Sequence, residues 1–409
     1  MQPIASLEFE PERKKVEEYW KNRLQNASKI HMPKKELALF YEKYLWHMLI
    51  TNDREFDAEN VIGRVGTMGY GCYANEVCMI TMDLDRRGRF EDARRILDTF
   101  IKYQSTAGLD GDYEDIEGVY FGAGGYEMGK GYNQNQGFIL WAIAEHVLLS
   151  KDFEWFEQIE QSVLKACECI ESERTQYTAK LSELENKRWK TYGEPEFLGK
   201  GLMPPGGVED ITDYWFWLST NAYNYYGLHW ISFLLQLIGH TQADRIEKQA
   251  EEFRDSIIKS FKNAKGRNPV VKLRNGIYVP HFPCHVHRRG RGFGWIQETL
   301  EGAIHLIRTG LVSPHSQEAH WIVNDLEDNC YLSEEFRYPL INEEFDHYWY
   351  RRGGFSMQPF LLCNHIVYLA MNKKKPFLRS MFNAFAVNYR EDTKLFTEHP
   401  SNHVRLVRP

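Results

Sequence analysis

Hydrophobic positions recur with helical period along nearly the whole chain, and the helices they mark alternate between two kinds. The first kind is amphipathic. In RFEDARRILDTFIKYQ, residues Phe90, Ala93, Ile96, Leu97, Phe100 and Ile101 form one stripe while Arg and Asp fill the other side, the pattern of a helix laid over a core. Ala243, Ile246, Ala250, Phe253 and Ile257 repeat it, and the segments near residues 34–50, 152–171, 316–331 and 375–388 look similar, which predicts about six outer helices. The second kind is apolar nearly all round, as in GFILWAIAEHVLL from Gly137 and NAYNYYGLHWISFLLQLIG from Asn221. Such helices suit a position enclosed by protein. Others are expected to start near Gly69, Gly294 and Phe355, the last with Pro359 in its first turn or at a kink. That makes about five inner helices.

Inner helices pass to the next outer helix through short returns such as LLSKD and LIGHTQAD, whereas outer helices reach the next inner one through long loops rich in Gly, Pro, Asp and aromatic residues. Long loops without secondary structure are uncommon in compact domains and are usually functional, and this alternation gathers them at one end of the molecule. Outer-inner hairpins repeating every roughly 60 to 85 residues, too irregular for a solenoid, describe an all-α fold, an (α/α)6 toroid with its function on one rim. Residues 34–409 form this barrel and 1–33 an N-terminal extension. The only strand signal is a short β-hairpin around VVKLRNGIYVP.

Composition refines this picture in three ways. Apolar residues at 43% supply a large core, and aromatic residues at 14% exceed what core filling usually demands, which suits a surface that wants flat rings with polar edges. A formal net charge of -7 gives no general affinity for nucleic acid. The seven cysteines follow neither a disulfide framework nor zinc spacing, so buried thiols are expected, with no metal and no cofactor. No basic segment followed by an apolar run opens the chain and none of its apolar runs reaches a membrane span. The chain as given reads as cytoplasmic, unless a leader was removed, with no membrane partner.

The order of these elements, the phrase GYNQNQGFILWAIAEHVLLSKD, and GLMPPGGVEDITDYWFWLSTNAY followed by an apolar helix resemble the six-hairpin glycosidase superfamily, which includes glucoamylases and trehalases. The resemblance runs from about residue 34 onward. It implies a glycoside hydrolase acting by inversion, with a general acid in the loop before the third inner helix and a general base in the loop before the sixth. Here those loops are GLMPPGGVEDITDYW and REDTKLFTEHPSNH. The chain ends at HVRLVRP soon after the sixth outer helix, so the twelfth helix of such a ring is expected to be missing, through truncation or a different closure.

Glycoside cleavage needs one protonated and one ionised carboxyl group. The first loop offers Glu209, Asp210 and Asp213 beside Tyr214, Trp215 and Trp217, where an apolar wall and like charges favour a protonated carboxyl. Any of the three could be the acid, and one could instead cap the following helix. Glu398 in FTEHP matches the superfamily's base by position, whereas a lone terminal Glu is otherwise usually solvated.

A third loop carries Asp110, Asp112, Glu114, Asp115, Glu117 and Glu127, then Tyr132, Asn133, Gln134, Asn135 and Gln136. Amides both donate and accept, as sugar hydroxyls require, so Tyr132, Asn133 and Gln134 are expected to bind substrate; calcium is the second reading, against which stands the missing EF-hand order. Tyr214, Trp215 and Trp217 would stack on sugar rings. The basic stretch PHFPCHVHRRGRGFGW brings His287, Arg288 and Arg289, which could grip a uronate carboxylate or simply pair with the acidic rim. Two further readings stay open. A sugar epimerase or polysaccharide lyase would use His281, His285, His287 or Tyr residues for proton abstraction, and a non-catalytic glycan-binding protein would need the aromatic residues more than the carboxylates.

Overall fold

The computed structural model describes residues 8–54, 61–66, 71–120, 132–188, 199–208, 211–291, 296–331 and 363–396. It is an all-α toroid. The outer helices are α2 (Lys35–Ile50), α4 (Phe90–Lys102), α6 (Phe153–Arg188), α8 (Ala243–Gly266), α10 (Gln317–Asp325) and, after α11, α12 (Lys374–Asn388). Between them run α3 (Ala74–Arg86), α5 (Asn135–Ser150), α7 (Leu218–Leu237), α9 (Ile304–Arg308) and α11 (Asn364–Ala370). The two kinds bury as their sequences demand. Helix α8 buries one stripe, Ile246, Ala250, Phe253, Ile257, Phe261 and Ala264, whereas α5 is buried on all sides from Asn135 to Val147. A further helix, α1 (Phe9–Leu24), lies outside the wall, with Trp20 stacked on Trp46 of α2 at 5.9 Å and Arg23 ion-paired to Asp92 of α4.

The returns from inner to outer helix share one device. Each holds a residue at positive φ: Gly88, Lys151, Gly239, Gly310 and Asn372. In three of them the next N–H reaches back five residues, from Arg89 to Leu84 (2.8 Å), His240 to Leu235 (2.9 Å) and Lys373 to Tyr368 (2.7 Å), the Schellman closure that satisfies the last carbonyls of a helix. These tight turns fix one end of the toroid and send every long connection to the other.

Helices α5 and α7 approach most closely where both lack a side chain. A Cβ on Gly137 would sit 2.1 Å from the Tyr223 carbonyl oxygen, and one on Gly227 would sit 2.6 Å from the Gly137 oxygen. One continuous apolar core, from Leu45 of α2 to Tyr368 of α11, fills the space between outer and inner helices.

Two features depart from the sequence reading. The expected hairpin is present as β5 (Val270–Lys272) with β6 (Tyr278–Pro280), but three others occur among the described residues: β1 (Asn52–Arg54) with β2 (Val61–Gly63), β3 (Gly206–Val208) with β4 (Ile211–Trp215), and β7 (Tyr389–Arg390) with β8 (Leu395–Phe396). The fourth inner helix is also broken. A π-helical turn, Ile296–Leu300, leads through residues 301–303 into the short α9. The last described inner helix runs from Asn364, and the expected start near Phe355, with Pro359, lies outside the described residues. Among the described residues no helix is long and apolar enough to cross a membrane.

Candidate active site

The loop of residues 106–120, the start of α5 and the β3–β4 hairpin interlock at the rim. The Asn133 side chain donates to the Asp110 carbonyl (2.7 Å) and accepts from its N–H (3.3 Å), and Gly207 N–H reaches the same carbonyl at 3.2 Å. Only glycine fits at 206, because a Cβ there would meet Asn133 Nδ2 at 2.1 Å. Gln136 holds the loop from below, accepting from Tyr120 N–H (2.8 Å) and donating to the Gly118 carbonyl (2.9 Å). Of the loop's acids, Asp110 accepts from Tyr214 Oη (2.6 Å) and Asp112 from Tyr177 Oη (3.0 Å). Glu173 of α6 accepts the N–H groups of Glu114 and Asp115 at 2.8 and 2.6 Å, and burial carries its carboxyl up to about 7. Tyr132 and Gln134 are buried beside Asn133, with the Tyr132 ring 5.2 Å from that of Tyr73.

Strands β3 and β4 flank residues 209 and 210, so Glu209 and Asp210 lie outside the described residues, as does Glu398. Asp213 is exposed on β4, and its carbonyl accepts from Trp217 Nε1 at 3.3 Å. Trp217 is wholly buried and also donates to the Gly206 carbonyl (2.9 Å), which ties the hairpin to the start of α7. Trp215, 39% exposed, stacks on His285 at 4.7 Å with its plane 9° away, while Trp217 meets the same imidazole edge-on at 5.1 Å. Burial, with Arg288 and His287 nearby, drives His285 down to about 3. It is therefore a neutral flat ring backing an accessible indole.

The basic stretch is largely engaged with the protein itself. His287 lies 5.7 Å from the Phe216 ring, Arg288 donates to the Arg291 carbonyl (2.9 Å), and Arg289 is exposed. Arg291 pairs with Asp325 at 2.5 Å, and His281 Nδ1 holds the other oxygen of that carboxyl at 2.9 Å. Burial opposes ionisation of Asp325, but His281 and Arg291 outweigh it and hold the carboxyl below its usual range.

A polar ring joins the inner helices where they begin. Asn75 on α3, Asn135 on α5, Ser219 and Thr220 on α7, Glu298 and Glu301 before α9, and Asn364 on α11 are all nearly or wholly buried. Asn75 N–H donates to Asn135 Oδ1 at 2.9 Å, and Ser219 Oγ donates to Glu301. Asn135 Nδ2, Thr220 Oγ, Glu301 Oε1 and Asn364 Nδ2 make no hydrogen bond among the described residues. Buried polar atoms normally find partners, so this ring is chemically unfinished without a polar ligand or water. Burial also raises Glu301, to about 8, which keeps a proton on its carboxyl near neutral pH. Glu298 and Glu301 escaped the sequence reading because they sit in GWIQETLEGAIHLI, whose other positions describe a packing helix. Two acids three residues apart in an apolar segment were the available signal.

No protein-family model matches the chain, and no curated protein matches it in sequence. Solved structures do match in fold. A wild-type glycosidase superposes with a TM-score of 0.54 at 12% identity over 90% of this chain and 88% of its own. A substituted glycosidase in complex with glucose gives 0.53 at 12% identity, covering 90% of this chain and 91% of that one. A bacterial glucoamylase complexed with acarbose gives 0.53 at 14% identity over 96% of this chain, which spans 57% of the glucoamylase chain.

Proposed function

We propose that this chain is a glycoside hydrolase of the six-hairpin glycosidase superfamily, cleaving an oligosaccharide or polysaccharide with a carboxylic acid and a carboxylate. The observation that carries the reading is the convergence at one rim of unsatisfied polar side chains, a stacked Trp215–His285 platform and a hairpin flanking Glu209 and Asp210. Sugars need this combination, since their hydroxyls seek paired donors and acceptors and their C–H faces lie on aromatic rings. The fold neighbours, glycosidases among them, support it further.

In the proposed mechanism Glu209, Asp210 or Asp213 protonates the leaving oxygen, and Glu398 activates the water that attacks from the opposite face. Inversion follows if the two carboxyl groups stand about 6.5 to 9.5 Å apart, leaving room for that water. The proton-abstraction alternative has less support in the imidazoles: His285 is neutral and walled between indoles, and His281 is buried against Asp325.

Turnover of neutral and uronate-containing oligosaccharides by the unmodified chain and by Glu209→Gln, Asp210→Asn, Asp213→Asn and Glu398→Gln tests the reading. Loss of about a hundredfold or more is expected in Glu398→Gln and in one of the three acid variants, with an inverted anomer seen by NMR. Undiminished hydrolysis in all four variants would sink the carboxylate mechanism. Binding without turnover by the unmodified chain would favour the glycan-binding reading instead.

A further inference from the structure

The loop of residues 106–120 is closed at its base and pinned at its tip. At the base Ser105 N–H donates to the Val119 carbonyl and Gly118 N–H donates to Ser105 Oγ, both at 2.8 Å. At the tip the N–H groups of Glu114 and Asp115 converge on a single oxygen of Glu173, at 2.8 and 2.6 Å. Between base and tip the chain runs beside β3, where Asp112 N–H donates to the Pro205 carbonyl at 2.9 Å and Gly111 bridges Gly206 in antiparallel register. One carboxyl on α6 thus helps set where the loop lies, and the loop is bonded in turn to the hairpin that carries Trp215.

Glu173 is only 2% exposed, and among the described residues no cation pairs with it. The neighbouring cations are engaged elsewhere: Lys180 with Glu114, Lys165 with Glu117 at 2.6 Å, and Arg174 with Glu171 at 2.7 Å. The titratable groups that face Glu173 are Asp115 and Tyr113 from the loop and Cys169 from its own helix, and burial keeps the phenol and the thiol neutral. A buried carboxylate without a counter-ion is costly, and two N–H bonds to one oxygen offset only part of that cost. Burial accordingly raises the carboxyl to about 7; the Asp115 N–H opposes the rise and the Asp115 carboxylate adds to it. Lifting the loop returns Glu173 to water, where it ionises near its ordinary value of 4.5. The docked state therefore holds the proton more tightly than the lifted one. Below about 4.5 both states are protonated and docking is at its strongest; as pH rises towards 7 the lifted state gives its proton to water first, and docking weakens through that interval.

We propose that Glu173 is a pH-sensitive latch, a carboxyl buried without a cation that docks the 106–120 loop on the rim while it carries a proton and loosens the loop when it ionises. Loosening at the tip is passed to β3 through Asp110, Gly111 and Asp112, and so to the hairpin. The latch stands on Glu173 and the loop alone; only its effect on turnover rests on the hydrolase reading.

Hydrogen exchange over residues 106–120, with each rate divided by the intrinsic rate at that pH, reads the latch without requiring turnover. In the unmodified chain protection of this segment is expected to fall about tenfold or more between pH 5 and pH 8, while α5 and α7 keep theirs. Glu173→Gln keeps a carbonyl for the two N–H groups and cannot ionise, so its loop should stay protected equally at both pH values. Asp115→Asn removes the facing charge and should make the fall smaller. Protection that is level or rises with pH in the unmodified chain overturns the proposal, as does an undiminished fall in Glu173→Gln. Should Glu173→Gln not fold, Asp115→Asn decides, and a fall as large as that of the unmodified chain overturns the latch. A loop that loosens with pH in a chain that hydrolyses nothing would leave the latch standing and remove the hydrolase reading, whereas hydrolysis by a chain whose loop is equally protected at both pH values would do the reverse.

Discussion

Glu301 has lost its water and gained one serine hydroxyl in return. Its carboxyl therefore resists ionisation in the folded state but ionises at its ordinary pKa once the chain unfolds. At a pH below the unfolded value both states hold the proton and Glu301 exerts no pH-dependent pull. As pH rises from about 4.5 towards the raised folded value, the unfolded state releases its proton first, and stability declines through that interval. Glu301→Gln keeps the shape and removes the titration. Its free energy of unfolding should match that of the unmodified chain near pH 4.5 and exceed it increasingly towards pH 8, by on the order of a few kcal/mol. Parallel stability curves across that range would mean that Glu301 is ionised in the folded protein. The same proton gives the polar ring a carboxyl able to donate a hydrogen bond near neutral pH.

At the scale of elements, contact between α5 and α7 rests on Gly137 and Gly227, each facing backbone of the opposite helix. Backbone cannot rotate away as a side chain can, so a methyl group at 137 must push the helices apart. Gly137→Ala should destabilise the protein by about 1 to 3 kcal/mol despite the better helix propensity of alanine. Urea unfolding measures this, and a neutral or stabilising effect would mean that the two helices are not held at this distance. These glycines illustrate what was and was not legible in the sequence. The alternation of outer and inner helices could be read from periodicity because burial on one side or on all sides leaves a mark at every position. Close approach leaves none, since a glycine inside a helix looks like a weak point. The β3–β4 hairpin was hidden for a related reason: its strands are short, and their pairing depends on Trp217 and Asn133 reaching Gly206 and Asp110 from elsewhere. The aromatic candidates Trp215 and Trp217 were legible as a pair, but only the structure separates an exposed platform from a buried tie.

At the scale of the molecule, the wall of outer helices must meet itself, and the meeting point is aromatic. Phe40 on α2 stacks on Phe396 of β8 at 4.5 Å and meets Phe385 of α12 and Tyr389 of β7 edge-on at 5.5 and 5.8 Å. His47 Nε2 reaches the Thr393 carbonyl at 2.9 Å beside them. The last described elements thus fold back onto the first outer helix, through contacts separated by most of the chain. Such contacts cost much loop-closure entropy to form, so removing the central ring of this seam should loosen it before it loosens the core. Phe40→Ala is expected to cost about 1 to 3 kcal/mol, less than a fully buried phenylalanine because Phe40 is only half-buried. The loss should be local. Hydrogen exchange should accelerate in α2 and α12 together while α5 and α7, enclosed by the core, keep their protection. Faster exchange in α2 alone would show that α12 is anchored independently of the seam, through its packing on α11, and that the outer wall holds its two ends without joining them.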